Sequence, residues 1–241
     1  MTGAGPHPNP LREALGLWAL AFLAIVVTVA LAPGWAAKAV ATVVFLYLPL
    51  WAMDRRGEDS RDFGLTFRAW REDLVLVALV CAVVLPLYTF GFWGATVVRP
   101  HLPLWAQPLV APLGGQSRYF HPRLPDSFGI WVVDQLFVVA LPEEFFYRGY
   151  LQARLKEAWP TGARIFGVTV GPAFLLVAFL FAVGHLARFE VSRLAVFFPA
   201  LLFGYLRERT GTVLGSTLLH AVFNFYALFL QLSFTPTWQR R

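Results

Sequence analysis

Between Leu15 and Leu31 the chain carries no charged side chain. Largely apolar runs recur at Ala36–Met53, Leu74–Val98, Phe128–Trp159, Phe166–Leu186, Val191–Leu206 and Thr212–Leu232. Runs of this length match what a helix needs to cross the hydrocarbon of a bilayer. There, only helices and closed barrels can satisfy their own backbone groups. Composition agrees: 58% of residues are hydrophobic and 14% charged, whereas an ordinary soluble domain carries about a quarter charged residues. The pattern predicts an all-α fold, a polytopic transmembrane bundle of about seven spans (six to eight), forming a single membrane domain over residues 1–241.

Residues 1–14 are expected to form an N-terminal tail. The first apolar run is long for a signal peptide, and Pro33-Gly34-Trp35 makes a poor cleavage site, so a retained helix is expected. Residues 54–73 carry Arg55, Arg56, Arg61, Arg68 and Arg71, interleaved with Phe63, Leu65, Phe67 and Trp70. This segment reads as an amphipathic piece on the membrane surface, or as a plain solvated loop. Pro86 is a candidate kink. Residues 99–126 form a long connection, either a cap over a site or an interfacial loop anchored by Trp105 and Tyr119. His101 and His121 within it are read as surface residues.

The net charge of +6 reflects topology rather than nucleic-acid binding, because the arginines lie in short loops and form no basic face. With seven spans the N-terminal side carries twelve Lys and Arg and the opposite side eight. The positive-inside rule then places the N-terminus in the cytoplasm. The expected location is a bacterial inner membrane.

Three polar constellations interrupt the apolar helices. The first is Glu143-Glu144-x-x-x-Arg148, the second Phe181-x-x-x-His185, and the third His220-x-x-x-Asn224. Ionisable groups at membrane depth are costly and usually functional. Glu144 and Arg148 are four apart on one helix face and should pair. Glu143 points about 100° away and has no such partner. Spacing thus suggests a structural role for Glu144 and Arg148, and a general-base role for Glu143. The competing view is an ion cluster that only holds helices together. His185, and the His220 and Asn224 pair, could likewise be polar groups that glue helices by hydrogen bonds.

Together, and in this order, the three motifs resemble those of the CPBP family (CAAX proteases and bacteriocin-processing enzymes, also called Abi). The resemblance covers about residues 128–232, which form the expected catalytic core; the first hundred residues carry no motif that matches. It implies an intramembrane endopeptidase of the glutamic type, acting near the end of a membrane-associated protein or peptide. Glu143 and His185 would activate water, His220 and Asn224 would stabilise the oxyanion, and Glu144 and Arg148 would orient the site. No cofactor is expected. The alternative is zinc held by Glu143, His185 and His220, without the support of a His-Glu-x-x-His helix. Branches of the family act on CAAX-type prenyl-proteins, bacteriocin leaders or myxosortase-like C-terminal sorting signals, and no residue here selects among them. The remaining functional alternative is a non-enzymatic scaffold or bacteriocin-immunity protein of the same fold. The expected partners are the lipid bilayer and a membrane-associated substrate, with no nucleic acid.

Overall fold

The computed structural model describes residues 9–188 and 190–235. Helix α1 spans Pro10–Leu31; Asn9 caps it, its side chain accepting from the amides of Leu11 at 3.0 Å and Arg12 at 3.4 Å. Residues 10–14 of the expected tail are therefore helical. Helix α2 spans Gly34–Arg56 and ends on Gly57, whose φ of 66° suits a left-handed cap. Helix α3 spans Trp70–Val98 and keeps Pro86 inside it.

A long helix, α4, occupies residues 128–158. Two π-helical stretches, Asp134–Ala140 and Phe145–Leu151, flank a short α-helical stretch, Leu141–Glu144. Such widened turns are rare and cluster at functional sites. Pro142 has no amide to donate to the carbonyl four residues back. The Val138 carbonyl accepts from Thr42 Oγ1 on α2 at 2.8 Å, in a stretch where the Leu141 amide reaches five residues back to Leu136. A neighbouring helix thus donates to the α4 backbone close to Pro142.

Helix α5 spans Pro172–His185, α6 Phe197–Thr210 and α7 Leu214–Ser233. The expected fifth helix from Phe166 is corrected at its start. Residues Ala163–Ile165 (β1) and Val168–Val170 (β2) form an antiparallel hairpin. Phe166 (φ 46°) and Gly167 (φ 84°) supply the two left-handed residues that a two-residue hairpin turn demands. The expected sixth helix from Val191 also starts later: Val191–Val196 forms 3₁₀ turns and the α-helix begins at Phe197. Both α5 and α6 have 14 residues, or about 21 Å of helix, against roughly 30 Å of hydrocarbon. Among the described residues four helices are long and apolar enough to cross a membrane: α1, α2, α3 with its continuation to His101, and α7.

Helix α4 lies at the centre. Phe145, Phe146, Tyr150, Leu151 and Leu155 are fully buried in the main apolar cluster. Toward the N-terminal face of the bundle, Arg154 on α4 is buried and paired with Glu58 and with Glu157 (2.8 Å). Glu13 on α1 accepts from Arg56 Nε at 3.0 Å and from the Tyr150 hydroxyl. This ionic network pins α1, α2 and α4 in one register.

The segment after α2 does more than lie on a surface. Phe63 is buried, and the Gly64 carbonyl accepts from Val213 N at 2.9 Å beside the start of α7. Phe67 and Trp70 remain exposed. The 99–126 connection packs on α3 and the end of α7: Gly115 N donates to Thr96 Oγ1 at 2.6 Å, and Ser117 N to the Phe234 carbonyl at 2.7 Å. Trp105 and Tyr119 are exposed.

Candidate active site

The site follows from how α4, α5 and α7 present their polar residues. Glu144 and Arg148 are both fully buried and paired at 3.1 Å, four residues apart as the spacing predicts. The guanidinium also donates to the Ala200 carbonyl of α6 at 3.2 Å and lies over the rings of Phe181 (4.2 Å) and Phe203 (5.1 Å). Its charge is thus surrounded by a carboxylate, a carbonyl and two aromatic faces, which a buried cation requires.

Glu144 has a second partner that spacing does not reveal. Its Oε1 accepts from His220 Nδ1 at 2.8 Å. His220 is buried and stacked on Phe203 with ring centres 5.1 Å apart. One nitrogen and one face of the ring are therefore held, and its Nε2 lies 3.9 Å from Glu143 Oε2. That distance is too long for a hydrogen bond. Glu143 Oε2 is buried without a hydrogen-bond partner among the described residues, although Glu143 lines the cavity described below. The two adjacent glutamates thus differ: Glu144 is fully buried, with its Oε1 shared by Arg148 and His220 and its Oε2 without a partner among the described residues, whereas Glu143 has neither of those partners and opens on the cavity.

His185 ends α5, and its Nδ1 donates to the Phe181 carbonyl at 2.9 Å. The phenylalanine of the second motif thereby orients the histidine one turn later, with Nε2 left for other chemistry. Asn224 Nδ2 donates to Gln135 Oε1 at 3.0 Å. Glu143, His185, His220 and Asn224 all line one cavity of about 390 Å³. His101, His121 and the rest of residues 99–126 do not line it.

The first hundred residues, which carry no recognisable motif, build much of the cavity wall. Phe22, Ile25 and Val29 of α1 and Ala41 and Phe45 of α2 form an apolar side. Gln135 and Tyr147 complete it from α4. Gln135 was not marked by spacing. Its only signal was a lone amide beside Asp134 in an apolar run. Gly184 permits the close approach of Tyr147: a Cβ there would sit 2.6 Å from the phenol oxygen. Among the described residues no three of His, Cys, Asp and Glu are grouped closely enough to hold a metal ion.

Chemically, the cavity offers an unengaged carboxylate, two oriented imidazoles and an amide donor against an apolar wall. No curated protein and no solved structure matches the chain. Residues 125–226, which carry all three motifs, match the family model Rce1-like, described as type II CAAX prenyl endopeptidase Rce1-like, and this bears out the CPBP resemblance read from the motifs.

Proposed function

We propose that the protein is an intramembrane endopeptidase in which Glu143 and His185 activate a water molecule. The observation that carries this is that Glu143, unlike Glu144, lines one cavity with His185, His220 and Asn224, and that its Oε2 has no hydrogen-bond partner among the described residues. Glu143 takes a proton from water as the oxygen attacks the scissile carbonyl, and His185 Nε2 holds the water. Negative charge develops on the carbonyl oxygen, where Asn224 donates, and where His220 donates from Nε2 when its ring carries both protons, its Nδ1–H being given to Glu144. Collapse of the tetrahedral intermediate breaks the C–N bond, and Glu143 returns the proton to the leaving amine. Glu144 and Arg148 hold His220 in place.

The substrate is a membrane-associated protein or peptide cut near its end, with an apolar portion lying against α1 and α2. A prenylated CAAX-type terminus is the first candidate, since the matched family is described by that activity. The cavity is lined by the late part of α1, the first half of α2, α4 between Gln135 and Tyr147, the end of α5 with residues just beyond it, and His220 and Asn224 of α7. It runs from the middle of the bundle toward the face opposite the N-terminus. With the N-terminus in the cytoplasm, substrate enters from the other side of a bacterial inner membrane.

The test is cleavage of tagged C-terminal substrates, prenylated and unprenylated, by the purified protein in detergent, with and without a strong zinc chelator. Activity is expected to survive the chelator, and Asn224→Ala to lower kcat by about 10²–10³-fold, the effect of losing one oxyanion donor. Activity lost to the chelator and restored by zinc would instead assign Glu143, His185 and His220 to a metal centre.

A further inference from the structure

Asn224 can serve a developing oxyanion only if its amide presents N–H, rather than C=O, to the reacting carbonyl. An amide side chain can turn by 180° and exchange the two, so its surroundings must decide. Asn224 Nδ2 donates to Gln135 Oε1 at 3.0 Å. Gln135 Nε2 donates in turn to Asp134 Oδ2 at 3.2 Å. Asp134 Oδ1 accepts from Lys38 Nζ at 2.8 Å.

The polarity of this chain is set from its outer end. A lysine ammonium only donates and an ionised carboxylate only accepts. Asp134 therefore requires the NH₂ of Gln135, which turns the Gln135 carbonyl toward Asn224. That carbonyl then requires the NH₂ of Asn224. One N–H of Asn224 is used in this way and the second remains for the cavity that both amides line. Gln135 and Asp134 stand where the first π-helical stretch of α4 begins, and Lys38 lies in the first turns of α2. None of the three belongs to the family motifs.

We propose that Gln135 is the positioning residue for the Asn224 amide, and that the Lys38–Asp134 pair fixes its polarity. This rests on Asn224 acting as an oxyanion donor. Gln135→Leu removes the acceptor at similar size and should lower kcat by about 10–100-fold, as misplacement of a catalytic group does. KM should stay within about threefold, because binding in the ground state is untouched. In the Asn224→Ala background the same substitution should cost nothing further, since the two residues act as one unit. Asp134→Asn, which can present a donor to Gln135, should also lower kcat, and Asp134→Glu, which keeps the acceptor, should restore it. Unchanged kcat in Gln135→Leu, or losses that add to those of Asn224→Ala, would overturn the assignment.

A second readout does not need turnover. In ¹⁵N-labelled Glu143→Gln protein, the Asn224 side-chain amide signal is identified by its loss in Asn224→Ala. It should shift in both Gln135→Leu and Asp134→Asn. An unmoved signal in both would refute the relay whatever the activity. A shifted signal in a protein whose wild-type form cleaves nothing would uphold the relay and instead refute the oxyanion role.

Discussion

Glu143→Gln is expected to lower peptide hydrolysis by about 10³–10⁴-fold, near the upper range for losing a general base, while the protein accumulates in membranes at its normal level. Glutamine keeps the size of the side chain and removes only the charge and the basic oxygen. Among the described residues no group loses a hydrogen bond to Glu143 Oε2, because that atom has no partner there. His220 Nε2 is 3.9 Å away, and the His220 ring is held independently by Glu144 and Phe203. Cleavage of a tagged substrate and the amount of protein in the membrane fraction, measured together, decide the matter. A parallel fall in both would make Glu143 part of the structural ion cluster and remove it from the chemistry.

The three motifs were legible because a helix in an apolar medium tolerates few polar residues, and spacing of four places pairs on one face. The Glu144 and Arg148 pair was found in this way, and the structure has it. Contacts between helices were less legible. Nothing in the spacing said that His220 would share Glu144 with Arg148, because a three-way contact depends on how α4, α6 and α7 pack. Nor did any pattern assign Thr42 to the Val138 carbonyl of α4. The first two helices carry only apolar cavity residues beside Lys38 and Thr42, so their part in the site was invisible to a search for chemistry. The hairpin before α5 was missed because its strands are as apolar as a helix end. Its deciding signal, Phe166-Gly167 in a left-handed turn, is a local backbone matter. That turn matters to the site, for it shortens α5 to Pro172–His185.

Arg148→Ala should behave in the opposite way to Glu143→Gln. Removing one member of a fully buried pair leaves an uncompensated charge and costs roughly 3–5 kcal/mol. Here Glu144 would keep only His220, the Ala200 carbonyl would lose its donor, and the space between the Phe181 and Phe203 rings would empty. The variant should therefore accumulate poorly and unfold at a lower temperature in detergent. Arg148→Lys should be intermediate at best, because a single ammonium lacks the planar fork that reaches both Glu144 and Ala200. Glu144→Gln separates the two roles of that residue. It should destabilise by leaving Arg148 without a counter-charge, and it should also lower kcat in the folded fraction, because His220 loses the carboxylate that holds its Nδ1. Thermal unfolding followed beside kcat per folded molecule tests each case. A stable but inactive Arg148→Ala would move the arginine from support into the reaction itself, and the contrast between the two neighbouring glutamates would then lose its physical basis.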